Sequence, residues 1–527
     1  MTLASSLLLA VTVVAHDPGY YTSLARHIQR WLGDEKVAAR VVTPREMKDA
    51  LENEKLAFLV GFDKPTAAEM ATLKAYRASG GKLVVFHSSS PQLAALMDVK
   101  ILGYASAPYA GAWSRMVFQS KTPVGLPTSI RQTSTVLLRA APIAGKGRTL
   151  AIWADRTGTL TGDAAWIATA GGYWMTHVLL ADGDEDLKAQ MLGAFVGSVD
   201  PSAWNLSAHQ ARVKKKEGDL RARAIKETPR PGEIHAVWDH SGCGLYPGNW
   251  KRTMALLRNA HVTDLFVNVA GAGFAHYASD VLPRSKTYQQ EGDQLAACLE
   301  AAKGTGIRVH AWVLAMSATR ATPATLADYE RRGWRLRTVK GGLTDYLNPA
   351  NAEVRAFMLR AIDEIQAKYA VAGIHLDFVR WGDGTKKPAN AAQYVTTFVS
   401  DARRRVRRPK WLTAAVYGKY PQCVSTVGQD WQGWLDANLV DYAVPMNYTS
   451  SPLKLAALLV QQTEKTSRAR RLIVGIGVTA NESRLDAGEV IDQIKASRRA
   501  GVAGNALFDL DVTLEKNILP YLRMGIW

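Results

Sequence analysis

The sequence predicts an α/β protein in which a doubly wound domain precedes a (β/α)8 barrel. Short apolar runs alternate with helical patterns along most of the chain, which is typical of parallel strands joined by crossover helices. Eight such runs fall between residues 233 and 527, a stretch whose length is typical of one barrel. The chain has 527 residues, 47% of them hydrophobic, so each of two domains can build its own core.

The first domain is expected over residues 11–205, where strands and helices follow one another. Its strands are predicted at Val11–Val14, Ala38–Val42, Leu56–Phe62, Lys82–His87, Leu150–Trp153 and Ala165–Ala168. Its helices are predicted at Tyr20–Leu32, Met47–Leu51, Ala67–Ser79 and Glu185–Phe195. Apolar strands separated by helices of this length indicate a parallel, flavodoxin-like sheet.

A charged segment at residues 206–232 separates the two domains. It is dense in Lys, Arg and Glu and closes with Pro229-Arg230-Pro231-Gly232, so we expect a solvated helix or linker. The barrel is expected over residues 233–527. Its eight strands are predicted at Ile234–Trp238, Asp264–Val269, Ile307–Leu314, Gly373–Val379, Leu412–Tyr417, Asp441–Pro445, Leu472–Ile476 and Gly504–Phe508.

The apolar start of the chain, Met1–Ala15, allows two interpretations. It is too short to span a bilayer but fits the hydrophobic region of an export signal cleaved near Ala10 or Ala15, although no Lys or Arg precedes it. Val11–Val14 also fits the first strand of the following domain. We expect a secreted or periplasmic protein, with a cytoplasmic location as the alternative, and no integral membrane segment.

The net charge of +18 indicates a basic surface, which attracts polyanions such as nucleic acid, anionic membranes or acidic polysaccharides. No zinc-finger, RNA-recognition or basic-zipper pattern occurs, so nucleic acid is not an expected partner. The cysteines Cys243, Cys298 and Cys423 are too scattered for a disulfide framework or a zinc cluster. Nothing in the sequence requires a metal or an organic cofactor, and the oligomeric state is not predicted.

The strongest candidate for chemistry is the end of the fourth barrel strand. Asp377 lies between Leu376 and Phe378, and Arg380 follows three residues later. A (β/α)8 barrel keeps its chemistry at the carboxyl ends of its strands, so these two charges are expected at the active rim. The alternative is a helix cap or a satisfied buried ion pair.

Other strand ends also carry polar or aromatic residues, a set that suits sugars because rings stack on pyranose faces while short polar groups bond the hydroxyls. These residues are Asp239, His240, Asn268, His310, Trp312, His375, Tyr417, Asn447, Tyr448 and Asp509. Three have explicit alternatives. Asp239 fits a loop cap, His310 a packed interior histidine, and Asp509 a helix cap.

At these residues the C-terminal half resembles the glycosyl hydrolase-like family 10 barrels. The similar segments follow the family's order and span nearly all of residues 234–510. They are Ala236-Val237-Trp238, Val309-His310-Ala311-Trp312, Leu347 to Arg355, Lys368 to Arg380, Val427 to Trp431 with Trp434, and Pro445-Met446-Asn447-Tyr448. The fourth strand departs from the family, because Phe378 and Trp381 replace its usual residues and no Pro follows. The resemblance implies glycoside hydrolysis without naming a sugar.

Chitinase-type barrels end the fourth strand in D-x-D-x-E, with Glu as the acid. Alignment of Asp377 on the second Asp places His375 on the first and Val379 on the Glu. The chitinase mechanism therefore does not follow, and Asp377 needs a partner from another strand.

The first domain resembles the glutamine-amidotransferase-like domains found beside some catalytic barrels. The place of their nucleophilic Cys is occupied by Phe86-His87-Ser88-Ser89-Ser90, and His177 lacks the Glu expected two residues later. Ser88 beside His87 is a conceivable nucleophile, but no G-x-S-x-G elbow surrounds it. We expect an accessory domain, with an amidotransferase-like enzyme as an alternative.

These observations predict a glycoside hydrolase that cleaves a polysaccharide or glycoconjugate, and the excess positive charge favours an anionic one. Asp377 is expected to be the nucleophile or base, oriented by Arg380 and His375, and the acid is sought first at Asp239, then at Asp509 and Asp383. The substrate-binding residues are expected to be Arg380, His375, His310, Trp312, His240, Asn268, Tyr417, Asn447 and Tyr448. The alternative is a carbohydrate-binding barrel without catalytic activity.

Overall fold

The computed structural model describes residues 11–16, 19–109, 111–155, 158–181, 184–464 and 466–527. Its chain divides into two compact units, Met1–Glu217 and Gly218–Trp527. The possible export signal lies mostly outside the described residues, but Val11–Ala15 forms a fully buried strand. Among the described helices, none has the length and apolar character that a membrane crossing needs.

The first unit is built on a nine-stranded sheet in the order β2-β1-β3-β4-β11-β10-β9-β6-β7, with a separate β5–β8 pair. Its strands are β1 (Val11–Ala15), β2 (Ala39–Val42), β3 (Leu56–Val60), β4 (Lys82–Phe86), β5 (Val99–Ser106), β6 (Trp113–Phe118), β7 (Ser129–Ser134), β8 (Val136–Pro142), β9 (Gly147–Ala154), β10 (Leu160–Thr169) and β11 (Gly172–Met175). Its helices are α1 (Tyr20–Asp34), α2 (Met47–Leu51), α3 (Ala67–Ala78), α4 (Pro91–Leu96) and α5 (Glu185–Gly197), and the boundary between the units falls within α6 (Leu206–Ile225).

The sheet of the first unit has a parallel half and an antiparallel half. Strands β1 to β4 and β11 pair in parallel, which confirms the doubly wound prediction. Strands β10, β9, β6 and β7 then extend the sheet by antiparallel pairing. Helix α1 shows why the parallel half folds as it does, since Leu24, Ile28 and Leu32 recur at helical spacing and are buried.

The second unit is a closed barrel of eight parallel strands, as predicted. They are β12 (Ile234–Asp239), β13 (Asp264–Gly271), β15 (Arg308–Leu314), β18 (Gly373–Asp377), β19 (Trp411–Tyr417), β20 (Tyr442–Met446), β21 (Ile473–Gly477) and β24 (Gly504–Phe508). Short strands lie in its loops: β14 (Phe274–Ala275), β16 (Arg335–Arg337), β17 (Leu343–Leu347), β22 (Thr479–Ala480) and β23 (Ser483–Arg484). Pairing of β12 with both β13 and β24 closes the barrel.

Helices follow the barrel strands. They are α7 (Trp250–Asn259), α8 (Lys286–Glu291), α9 (Gln294–Ala302), α10 (Pro323–Arg331), α11 (Ala352–Lys368), α12 (Ala391–Arg405), α13 (Gln422–Val427), α14 (Trp431–Asp436), α15 (Pro452–Gln462), α16 (Thr466–Ala469), α17 (Ala487–Arg499) and α18 (Leu519–Leu522), with a π-helix at Leu514–Ile518.

Strand alternation decides which side chains enter the barrel. Ala236 and Trp238 belong to the interior apolar cluster, whereas Val237 between them belongs to the cluster beneath the helices. The interior set also contains Phe266, Trp312 and Leu314. This alternation separates the predicted site residues into those that face the barrel interior and those that face the surrounding helices.

Candidate active site

Asp377 is the last residue of β18, and the residue is buried at 6% exposure. The next residue, Phe378, has φ +48°, a left-handed conformation that costs a non-glycine residue roughly 1–2 kcal/mol. This turn brings the Phe378 N–H to Asp377 Oδ1, to which it donates at 2.6 Å. The strained backbone therefore helps to hold the carboxylate in place.

Burial raises the pKa of Asp377, while the Arg380 guanidinium, the Phe378 N–H and the Trp312 indole N–H lower it. Arg380 Nη1 lies 3.7 Å from Asp377 Oδ1. The Trp312 Nε1–H has no hydrogen bond of standard geometry among the described residues. A cation and two N–H donors thus face one buried carboxylate, and all three favour its ionised form.

Arg380 is held between two aromatic rings. Its guanidinium carbon lies 4.1 Å from the centre of the Phe378 ring and 4.7 Å from that of Tyr417. Asp383 lies 3.5 Å from Arg380 Nε and accepts a hydrogen bond of 2.8 Å from the Tyr417 hydroxyl. These contacts fix the cation beside Asp377 and place Tyr417 and Asp383 in the same cluster.

Aromatic side chains surround the carboxyl end of the barrel near Asp377. Buried Trp238 has Tyr448 and Phe508 at ring-centre distances of 6.4 and 6.1 Å. The exposed His240 ring lies 5.8 Å from Trp312 and 5.9 Å from Phe508. Three of the predicted binding residues, His240, Trp312 and Tyr448, therefore belong to one aromatic cluster. Phe508, which was not predicted, belongs to the same cluster.

Asp509 follows β24, and its carboxyl group is suited to hold a proton. Burial raises its pKa to about 7, helped by the charges of Asp511 and Asp239 and opposed by a hydrogen bond from Thr479. The Thr479 hydroxyl donates to Asp509 Oδ1 at 3.2 Å. A carboxyl group that is protonated near neutral pH has the property that a general acid needs.

Asp509 and Asp377 both act electrostatically on the Tyr448 phenol. Burial raises the pKa of Tyr448 well above its usual value, and the charges of Asp377, Glu482 and Asp509 raise it further. All three carboxyl groups therefore act electrostatically on one phenol. Glu482 is an addition to the predicted residues; it is exposed on the β22–β23 hairpin directly after strand β21.

Asp239 is fully buried, and its carboxylate accepts hydrogen bonds from the loop that follows it. Its carboxylate accepts hydrogen bonds from the Ser241 N–H and hydroxyl at 3.1 and 2.6 Å, and from the N–H groups of Gly242 and Gly244 at 3.3 and 2.8 Å. Burial still raises the pKa of Asp239. Four donors from one loop favour the loop-cap alternative for Asp239.

Two predicted binding histidines lie inside the barrel below the rim. His375 Nε2 accepts from the Trp238 indole at 2.9 Å, so its Nδ1 carries the proton and donates to the Thr413 hydroxyl at 2.8 Å. Burial holds the pKa of His375 well below 6.5. His310 Nε2 lies 2.8 Å from Asp264 Oδ1, in a fully buried pair. Both contacts favour internal packing over contact with substrate.

The two predicted asparagines differ in position. Asn447 faces helix α15, where its side-chain amide exchanges two hydrogen bonds with Gln462 at 2.9 and 2.8 Å. This pairing leaves it little capacity to bind a sugar. Asn268 donates to the His240 carbonyl at 3.2 Å, and its buried Oδ1 has no hydrogen-bond partner among the described residues.

The first unit does not present Ser88 as a nucleophile. Ser88 is fully buried, and its hydroxyl donates to the Phe62 carbonyl while accepting from the Ser90 N–H at 3.1 Å. His87 has φ +52°, and its Nδ1 lies 3.5 Å from Asp63. Within the described part of the chain, no group of three or more His, Cys, Asp or Glu residues has the arrangement of a metal site.

Comparison with known proteins gives a family match and distant similarities to solved structures. The α-L-fucosidase isoenzyme 2 of Paenibacillus thiaminolyticus is 12% identical over 56% of this chain and 48% of its own, with a TM-score of 0.39. A class V chitinase of Pseudomonas fluorescens Pf-5 is 12% identical over 56% of this chain and all of its own, with a TM-score of 0.37. A β-galactosidase of Marinomonas ef1 is 10% identical over 55% of this chain and 58% of its own, with a TM-score of 0.41.

The matched region thus spans about half of the fucosidase, at 48% of that chain. No curated protein matches the sequence. The family match covers strands β12 to β18 of the barrel and the start of β19, including Asp377 and Arg380. The barrel is therefore similar, over residues 234–413, to the family Glycosyl hydrolase-like 10.

Proposed function

We propose that the barrel hydrolyses glycosidic bonds, with Asp377 as nucleophile or base and Asp509 as general acid. The observation that carries this proposal is the contrast between the two carboxyl groups that act on Tyr448. Burial raises the pKa of both carboxyl groups. Arg380 and two N–H donors oppose this at Asp377, whereas the charges of Asp511 and Asp239 add to it at Asp509.

The mechanism follows from these protonation states. Asp509 donates its proton to the glycosidic oxygen as the bond to the leaving sugar breaks. Asp377 either attacks the anomeric carbon directly or removes a proton from the water that attacks it. Arg380 favours the anion of Asp377 against the effect of burial, and its position beside Asp377 is fixed by Phe378 and Tyr417.

The aromatic residues provide the sugar-binding surface. His240, Tyr448 and Phe508 are at least partly exposed, above the buried Trp238 and Trp312. Partly exposed rings beside carboxyl groups match what a pyranose needs, because its faces are apolar and its edge is hydroxylated. Glu482 is a second candidate for the acid because it also acts on Tyr448 from the neighbouring strand end.

The competing function is carbohydrate binding without catalysis. It is favoured by Val379, which stands where chitinase-type barrels carry their acid, and by the commitment of Asp239 to its loop. Such a barrel would keep the aromatic surface and Arg380 but would not cleave any glycan.

The test is a measurement of reducing ends released from a panel of neutral and acidic polysaccharides by the full-length protein. We expect cleavage of at least one polymer, and a loss of about 10²-fold or more in Asp509→Asn. Glu300→Gln, an exposed change on helix α9, is the matched control and should leave the rate unchanged. Binding of a polymer that is never cleaved would support the competing function instead.

A further inference from the structure

A groove of about 820 Å³ opens at one end of the central strands β4, β11, β10 and β9 of the first unit, and Ser88 is not part of its lining. Its wall includes the start of β4 at Lys82, the start of β9 at Gly147 and Arg148, and the β10–β11 turn around Thr169. This volume lies within the range of ligand pockets, which is roughly 300–1,000 Å³.

The groove is lined by cations and by no carboxylate. The cations are Lys82, Lys146 and Arg148. Lys146 pairs with Asp98 at 3.1 Å. Lys82 and Arg148 form no ion pair among the described residues, and Arg148 donates only to the Thr122 carbonyl, at 3.0 Å. Two cations without counter-charges therefore border one cavity, which favours an anionic occupant.

Hydroxyl groups lie beside these cations. The Tyr173 hydroxyl donates to Ser198 Oγ at 2.9 Å, and both residues line the groove. Burial raises the pKa of Tyr173, while the Ser198 hydroxyl and the Arg148 guanidinium lower it, so Arg148 acts on this hydroxyl pair. The Ser198 hydroxyl in turn donates to the Phe195 carbonyl at 2.7 Å, so these two oxygens are left as acceptors. Arg148 can therefore bind a carboxylate while the hydroxyl oxygens accept from sugar hydroxyls next to it.

The floor of the groove is closely packed. Gly172 has φ +126°, and a side chain there would meet the Leu83 carbonyl oxygen at 2.0 Å. Trp204 is almost fully buried, and its indole donates to Glu35 at 2.6 Å. These contacts fix the β10–β11 turn and the segment after α5. The groove that Lys82 and Arg148 line therefore has a rigid floor.

We propose that this groove binds an acidic oligosaccharide through carboxylates placed on Lys82 and Arg148. The anionic part of the proposal rests on the groove alone, and the saccharide part rests on the proposed function of the barrel. The contrast with the barrel is chemical: Asp377, Asp509 and Glu482 all act on Tyr448 of the barrel, whereas the lining of the groove contains no acid. An acidic chain thus has a complementary surface in the first unit.

The test is calorimetric binding of a galacturonic acid pentamer to full-length Asp377→Asn protein, in which hydrolysis is blocked. We expect affinity to fall at least tenfold in Lys82→Gln/Arg148→Gln, and to fall in the parent as salt is raised from about 50 to 200 mM. The charge-matched control is Lys64→Gln/Lys74→Gln, two exposed lysines outside the groove. It should bind within about twofold of the parent.

Several outcomes would overturn the proposal. They are equal weakening in both double variants, equal affinity for a neutral galactose pentamer, or displacement of the acidic pentamer by inorganic phosphate at matching concentration. An unchanged thermal midpoint in the groove variant excludes misfolding as the cause of lost binding. If the acidic pentamer binds but the wild type cleaves no polymer of the panel, the proposed barrel function is rejected and the anionic site in the groove is not.

Discussion

Arg380 places its Nη1 3.7 Å from Oδ1 of Asp377, and the two side chains are 7% and 8% exposed. The two residues are separated by the left-handed turn at Phe378, which folds the chain back toward the strand end. A buried carboxylate without this cation would favour its protonated form. The pair therefore determines whether Asp377 is available as an anion.

Replacement of Arg380 tests that role. Arg380→Met should lower kcat by roughly 100-fold and change KM little, because the lost charge acts on Asp377 more than on the bound sugar. The pKa of Asp377 should rise, so the acid limb of the kcat profile should move to higher pH. Arg380→Lys should restore part of the rate. An unchanged acid limb in Arg380→Met would contradict the account.

Asp509 should produce the basic limb of the pH profile. Its pKa is raised to about 7, so a reaction that needs its proton is fast below pH 7 and slows as pH rises through that value. Asp509→Asn should remove this limb along with most of the rate. If the limb stays in Asp509→Asn but disappears in Glu482→Gln, Glu482 is the acid.

The same carboxyl group should affect stability. Its folded pKa lies above the usual 3.8, so the folded state holds the proton more tightly than the unfolded state. The stability that this proton provides is fully present below about pH 4 and is lost as pH rises through about 7. We therefore expect the difference in thermal midpoint, Asp509→Asn minus wild type, to become more positive from pH 5 to pH 8. A constant difference would argue against the raised pKa.

His375 should matter for folding more than for binding. His375→Leu leaves the Trp238 indole N–H and the Thr413 hydroxyl without their buried partner, which should cost about 2–4 kcal/mol in urea unfolding. Adding Trp238→Phe should recover part of this loss, because it removes one orphaned donor. If the double variant loses as much unfolding free energy as His375→Leu alone, the broken Trp238–His375 hydrogen bond is not the cause of the destabilisation.

A substitution of Asn447 distinguishes a structural role from a role in substrate binding. Asn447→Leu breaks its paired hydrogen bonds with Gln462, so unfolding free energy should fall by about 1–3 kcal/mol. The KM for a cleaved glycan should stay within about twofold at a temperature where the variant is folded. A tenfold rise in KM with unchanged stability would restore Asn447 as a substrate-binding residue.

The barrel could be predicted from the sequence because its strands are apolar runs and its helices lie between them. All eight predicted strands occur, and Gly504–Phe508 has the predicted ends. The antiparallel half of the first sheet is harder to predict from the sequence, because a strand such as Ser129–Ser134 is largely polar and has no strong apolar pattern.

The site was predicted less completely, for a local reason. A residue type at a strand end does not reveal which face it occupies or which loop donors it meets. Asp239 and Asn447 are polar and close to strand ends, yet one is bound by its own loop and the other by Gln462. Glu482 is not among the predicted site residues because it lies in a hairpin and not at the end of strand β21 itself. Its position shortly after that strand is the signal that could have identified it.

The most direct test of the account is the turnover of Asp377→Asn on a glycan that the wild type cleaves, measured beside its affinity for the same glycan. We expect kcat to fall by about 10³-fold or more, while the Kd of the uncleaved glycan stays within a few-fold. A kcat within about tenfold of the wild type would contradict the central claim that Asp377 carries the chemistry.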